Sequence, residues 1–231
     1  NYYQLGMGSR DNQYEMSDVV PFPDDAVAVA AGGYSSCAVL ASGDAYCWGS
    51  NGDSQAGFSD FHSFVGSSST WIDDFGPLTM PGGTAVVDIS MGSDFACAVL
   101  VTGDMACWGD NDFGQLGFAH KDNVGSDELS IAEAGVVPIP GGEAVLSVTQ
   151  GEKHTCTRLI SGDILCFGRA DLGQLGWGSE WSPSFVQLPV PAPALPTPSP
   201  STTPLPASPS PAAAAGPAED PLPSPSRSPE Q

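Results

Sequence analysis

The residues most able to do chemistry are six cysteines, and all six fall into pairs of one spacing: Cys37 with Cys47, Cys97 with Cys107, Cys156 with Cys166. Zinc binding, thiol redox and cross-linking compete for them. Zinc sites typically space their cysteines by about two to four residues and need four converging ligands. Here nine residues intervene and no histidine repeats beside them. Redox catalysis wants two cysteines close in sequence, which are absent. A hairpin with a three-residue turn at 41–43 makes Leu40 face Asp44 and, stepping outward, Cys37 face Cys47. Facing residues of an antiparallel pair have Cα atoms about 4.5–5.5 Å apart, within disulfide reach. A two-residue turn would shift the register by one and send the two cysteines to opposite faces. The spacing thus favours three hairpin disulfides, with buried free thiols as the remaining alternative. Each would close a loop of about ten residues, stabilising by roughly 2–3 kcal/mol in the chain-entropy model. Three of them imply an oxidising compartment: extracellular, cell surface or secretory lumen.

Other candidate chemistry is thinner. Asp110-Asn111-Asp112 resembles the start of a calcium loop, but Gly114 falls one place early and Lys121 stands where the closing glutamate belongs. A turn role is favoured. His62, His120 and His154 are singletons, and no nucleophile-base grouping or phosphate cradle accompanies them. We therefore expect no catalytic residue, no metal and no cofactor. Two segments, 58–82 and 118–141, are rich in Ser, Asp, Gly and aromatics. Loops on a rigid scaffold commonly carry recognition. The candidate binding residues there are Phe61, Phe64, Trp71, Phe75 and, in the second segment, the residues at 124 and 127, Val124 and Asp127.

What positions these residues is repetition. Segments 37–57, 97–117 and 156–176 align without gaps, and Gln4-Leu5-Gly6 matches the end of an earlier copy. Each copy reads as a hairpin. A short apolar strand is followed by Ser42-Gly43-Asp44, Thr102-Gly103-Asp104 or Ser161-Gly162-Asp163. In that turn Gly supplies the positive φ and Asp bonds back to the backbone. The second strand ends in Trp48-Gly49, Trp108-Gly109 or Phe167-Gly168, an aromatic expected to anchor packing. A further β-like segment precedes each copy, at 26–31, 85–90 and 144–149, followed by Gly32, Gly92 or Gly151. No amphipathic helix of useful length is evident. Short strands at fixed spacing with turn signals predict an all-β fold built of blades.

The string Trp108-Gly109-Asp110-Asn111-Asp112-Phe113-Gly114-Gln115-Leu116-Gly117 resembles the signature of the regulator-of-chromosome-condensation repeat family. So does Gly151-Glu152-Lys153-His154-Thr155-Cys156 leading to Cys166-Phe167-Gly168. The resemblance implies a β-propeller of four-stranded blades, seven to a closed ring. Three complete blades with partial ones beside them, over 1–188, would then be part of such a ring, with blade repeats starting near 32, 92 and 151 and a partial repeat at 1–31. Residue 1 is Asn and no signal peptide is present, which points to a start inside a longer protein. The founding member is a nuclear exchange factor for a small GTPase and binds chromatin. This chain departs from it in its paired cysteines, its acidity and its lack of a basic arm. Cysteine-paired repeats of this kind are similar to those of secreted bacterial proteins and crinkly-type plant receptor ectodomains.

Charge bounds the partners. Formal net charge is −21; Glu219, Asp220, Glu230 and Arg227 leave −2 in the tail and hence −19 on the repeats. Such a field repels phosphate backbones, so nucleic acid is not expected as a partner. No apolar run reaches the roughly 20 residues of a membrane helix. Of 22 prolines, 15 lie from Pro189 onward, and 189–231 reads as a disordered Pro/Ser/Ala-rich tail. The expectation is a non-enzymatic protein-binding scaffold, extracellular or on the cell surface. Two alternatives stand beside it: a cytoplasmic or nuclear exchange factor for a small GTPase, and a receptor ectodomain.

Overall fold

The Gly-Asp turns close hairpins in the expected register. In the first, the Leu40 amide donates to the Asp44 carbonyl at 2.9 Å and the Gly43 amide donates back to Leu40 at 2.8 Å. In this computed structural model residues 2–9, 11, 19–58, 63–67, 72–176 and 186–188 are described. The chain divides into a unit Asn1–Pro191 and a unit Ala192–Gln231, and all described residues belong to the first. The proline-rich tail lies outside the described residues.

Each hairpin forms the middle of an antiparallel sheet. The first sheet runs β1 (Ala26–Gly32), β2 (Ser35–Leu40), β3 (Ala45–Ser50) and β4 (Phe64–Val65), in that order. The second holds β5 (Val86–Met91), β6 (Phe95–Leu100) and β7 (Met105–Gly109). The third holds β8 (Val145–Gln150), β9 (His154–Leu159), β10 (Ile164–Gly168) and β11 (Val186–Leu188). The expectation of three four-stranded blades needs one correction. In the second sheet the fourth place is taken by a single bridge between Gly109 and Val124. The segment 118–141 passes that edge in one residue because Gly125 turns it away with φ 94°. Among the described residues helix is limited to single turns, α1 (Ile72–Phe75), α2 (Ile131–Ala134) and 3-10 turns at Pro81–Gly83 and Pro140–Gly142; α2 starts with a Ser130/Glu133 capping box.

The sheets pack face to face in chain order, β5 against β1 and β2, and β8 against β5 and β6. The central sheet is accordingly the most enclosed. All six residues of β6 are buried, whereas β9 alternates and leaves Arg158 exposed. The equivalent positions Val39 and Val99 are buried between sheets. The first sheet has the opposite bare face: Val29 is 76% exposed where its counterparts Ile89 and Val148 are 5% and 7%. A stacked repeat buries its faces only against neighbours.

One hydrogen-bond pattern joins the sheets. The carbonyl of Gln4 accepts from Trp48 Nε1 at 2.9 Å and from Ser36 Oγ at 2.8 Å. The carbonyl of Gln55 accepts from Trp108 Nε1 at 3.1 Å. The carbonyl of Gln115 accepts from Thr155 Oγ1 at 2.8 Å. The donors are facing pairs, Ser36 with Trp48, Ala96 with Trp108 and Thr155 with Phe167. Where the indole is lost, at Phe167, a hydroxyl is present, and where the hydroxyl is lost, at Ala96, an indole is present. The aromatic is thus a packing anchor that also carries a polar function at two of three sites.

Trp108→Phe removes the one described donor on a buried carbonyl and should lower stability by about 2–3 kcal/mol. Trp48→Phe should cost less, because Ser36 remains. Adding Ala96→Ser to Trp108→Phe should recover part of the loss in urea unfolding. No recovery would mean that indole volume, not its N–H, holds the interface.

Candidate interaction surface

Within each sheet the cysteines face each other: Cys37 opposite Cys47, Cys97 opposite Cys107, Cys156 opposite Cys166. Their Cα atoms lie 4.1, 4.0 and 4.1 Å apart, and all three pairs are disulfide-bonded. The short separation marks a non-hydrogen-bonded pair, where side chains approach most closely. Each bond sits one residue from the donor pair that clasps the preceding glutamine. The covalent staple therefore fixes the position of the inter-sheet contact.

The Asp-Asn-Asp segment braces a turn. Asn111 Oδ1 accepts from the Leu116 amide at 3.0 Å, and Nδ2 donates to the carbonyls of His120 and Asp122 at 2.9 and 3.0 Å. Asn51 repeats the arrangement with Ala56 and Phe58. Gly49, Gly109 and Gly168 end the preceding strand with φ of 103°, 101° and 108°. A β-carbon there would press on the backbone of the neighbouring strand, which explains the repeated aromatic-glycine step. Among the described residues no group of three or more His, Cys, Asp or Glu is arranged to hold a metal.

Lys153 is a polar contact between sheets that sequence reading did not identify. Its Nζ donates to Asp110 at 2.6 Å and to Asp94 at 3.2 Å, which flank β7 and β6 of the second sheet. Asp110 also accepts from Gln115 Nε2 at 2.9 Å. Burial pulls the Lys153 ammonium down, but the hydrogen bonds and charges of Asp110 and Asp94 outweigh it, so its pKa is raised overall. Asp53 nearby is pushed up by burial and by the charges of Asp94 and Asp110. The signal was available: Asp94 and Lys153 each stand three residues before the first cysteine of their copy, so one repeat column carries opposite charges in neighbouring blades.

The predicted binding residues divide. Phe64 is half-buried in β4, with its ring 5.7 Å from Tyr2 and 5.8 Å from Tyr3. Phe75 is half-buried with its ring 5.0 Å from Phe58. Both serve packing within the chain and are not displayed loop aromatics. Val124 is fully buried at the bridge to Gly109, because an edge strand closes there. Asp127 is exposed. Phe61 and Trp71 lie outside the described residues.

The family model of the regulator of chromosome condensation (RCC1) repeat matches residues 26–55 and 86–115. These repeats are of the regulator-of-chromosome-condensation type. Human E3 ubiquitin-protein ligase HERC2 is 32% identical over 160 residues, 68% of this chain but 3% of HERC2. The ultraviolet-B receptor UVR8 of Arabidopsis thaliana is 26% identical over 168 residues, 70% of this chain and 34% of that protein. This repeat protein therefore spans a small part of the relatives it matches. Among solved structures, yeast RCC1 (Prp20) bound to Kap60 aligns with TM-score 0.60 at 19% identity, covering 80% of this chain and 43% of that one. Human WBSCR16 aligns with TM-score 0.59 at 20% identity, covering 73% of this chain and 42% of that one. At such identities the likeness is one of fold, and it makes the repeats blades of an RCC1-type β-propeller.

Two charge variants test the contact between blades. Lys153→Met should destabilise by about 1–3 kcal/mol at neutral pH, because Asp110 stays buried without its cation. Since the Lys153 pKa is raised on folding, its contribution is present below the ordinary lysine range and is lost as pH rises through the folded value; parent and variant should converge there. Asp53→Asn should stabilise by a few tenths of a kcal/mol at neutral pH, the carboxylate being exposed and screened. That gain should vanish below about pH 3.8, where Asp53 is protonated in both states. Thermal melts across pH check both.

Proposed function

We propose that this RCC1-type repeat protein is a non-enzymatic protein-binding scaffold that works in an oxidising compartment, secreted or at the cell surface. The observation that carries the reading is the set of three hairpin disulfides, one per blade. Intracellular thiols are ordinarily kept reduced, and no free cysteine occurs among the described residues. Polar groups that could be reactive are engaged in the scaffold: Asp110 holds Lys153 and Gln115, and Asn111 braces its turn. Exposed Asp127 on a long inter-blade segment supports recognition on that side. No described helix is long and apolar enough to cross a membrane.

A second reading is favoured by one likeness. Yeast Prp20p, solved with attention to its binding of Gsp1p and histones, aligns with TM-score 0.55 at 19% identity, covering 73% of this chain and 40% of that one. A small-GTPase partner would require an intracellular protein with reduced cysteines.

Intact mass after thiol alkylation of natively produced protein separates the two. Labels are expected only after reduction, with peptide mapping linking Cys37 to Cys47 and the two counterpart pairs. Labelling of all six thiols without reduction would move the protein to a reducing compartment and make GTPase exchange the assay of choice.

A further inference from the structure

The first strand of each sheet, β1, β5 and β8, breaks its register once, at the same place. The pairing steps from Ala26 to Ala28, from Val86 to Asp88 and from Val145 to Ser147, leaving one bulged residue between. Those residues are Val27, Val87 and Leu146, all large and apolar, and they are 64%, 52% and 45% exposed. A bulge re-aims a side chain away from the alternation of its strand. Single exposed apolar residues are ordinary; the same exposed apolar type at one structural register in three consecutive blades is not scattered.

Backbone hydrogen bonds join these positions into a continuous rim. The Val86 amide donates to the carbonyl of Gly43 in the preceding blade's turn, and the Val145 amide to that of Gly103, both at 2.8 Å. Only glycine permits that approach: a β-carbon at Gly43 or Gly103 would lie 2.5 or 2.7 Å from the Cβ of Ala85 or Ala144. Within each blade the Val101 amide donates to Ala85 and the Ile160 amide to Ala144, both at 2.9 Å. Val101 and Ile160 are 65% and 64% exposed. The rim therefore alternates acid and apolar: Asp44, then Val87 with Val101, then Asp104, then Leu146 with Ile160. The Asp44 and Asp104 carboxylates accept from Ser42 at 2.9 Å and Thr102 at 2.8 Å, the hydroxyls of their own turns. No ion pair of either is found among the described residues. Arg158 Nε donates to Ser147 Oγ at 3.4 Å. A cleft of about 180 Å³ opens beside Asp44, walled by Thr79 and Thr84.

We propose that this rim binds a basic peptide segment of a partner protein in which Lys or Arg alternates with apolar residues. The cations meet Asp44 and Asp104, one of them entering the cleft, and the apolar side chains cover Val87, Val101, Leu146 and Ile160. Charge complementarity selects this occupant, since the repeats carry −19 and the rim presents carboxylates without cations. The inference rests on the scaffold reading and names the chemistry of its partner.

Fluorescence anisotropy on the full chain tests it, with a labelled peptide of alternating Lys and Leu and a second peptide with Gln for Lys. The Gln peptide should bind about tenfold more weakly. Val87→Ser with Leu146→Ser, and separately Asp44→Asn with Asp104→Asn, should each weaken the Lys peptide by about tenfold. Asp112→Asn with Glu128→Gln should leave binding unchanged. These side chains are exposed, and unchanged circular dichroism and disulfide maps will establish that the variants fold. Equal binding by the rim variants overturns the proposal, as does equal weakening by the Asp112/Glu128 variant, which would mean attraction to bulk charge. Cross-linking the full chain in its native source separates the two readings. A partner protein retained by the Val87/Leu146 variant overturns the rim and spares the scaffold. No cross-linked protein on the parent chain removes both.

Discussion

A main-chain carbonyl shielded from water must find a donor or cost about 1–3 kcal/mol, and in this chain two carbonyls of buried residues and one of a half-buried residue find it in the next sheet. Gln4, Gln55 and Gln115 end one repeat unit and are gripped by the facing pair at the start of the following hairpin. The contact specifies which blade follows which, at what distance and in what register. Nearly every repeated feature can be traced to it. The disulfide beside it locks the two strands that supply the donor. The aromatic-glycine step ends the strand where the indole must turn. The Asn side chain holds the turn that presents the glutamine.

The requirement is for a donor, not for a particular residue. Ser36 with Trp48, Ala96 with Trp108 and Thr155 with Phe167 are three solutions to one constraint. Drift at one position of the pair is tolerated while the other retains its N–H or O–H. Lys153 with Asp94 and Asp110 adds a second, electrostatic clasp between the second and third blades. It sits in an otherwise acidic field, so one cation offsets repulsion among several carboxylates. Burial and the charges of Asp94 and Asp110 still lift Asp53, which Lys153 only partly offsets, while the same two carboxylates raise the Lys153 pKa.

The bulges show how a repeat can separate structure from recognition. A regular strand would send Val87 and Leu146 either into a blade interface or into its own sheet's alternation. One extra residue in the first strand of the sheet releases them to the surface without disturbing Ile89 and Val148, which stay buried. The scaffold positions and the displayed positions thus lie two residues apart on the same strand.

Sequence alone determined the hairpins, their three-residue turns, the cysteine pairing and the blade-type repeat, because each follows from local spacing and from the period-two geometry of strands. It also placed the aromatics in packing roles. It marked Phe64 and Phe75 as insert residues open to a partner, and in the fold each also packs against aromatics of the chain. Whether a loop side chain turns inward depends on what lies across from it, such as Phe58 against Phe75 or the Gly109 edge against Val124. The glutamine clasps, the Lys153 bridge and the apolar rim were decided only by tertiary structure. All three join residues of successive copies, separated by 32 to 53 positions in the clasps and brought together by stacking, which no spacing within one copy encodes.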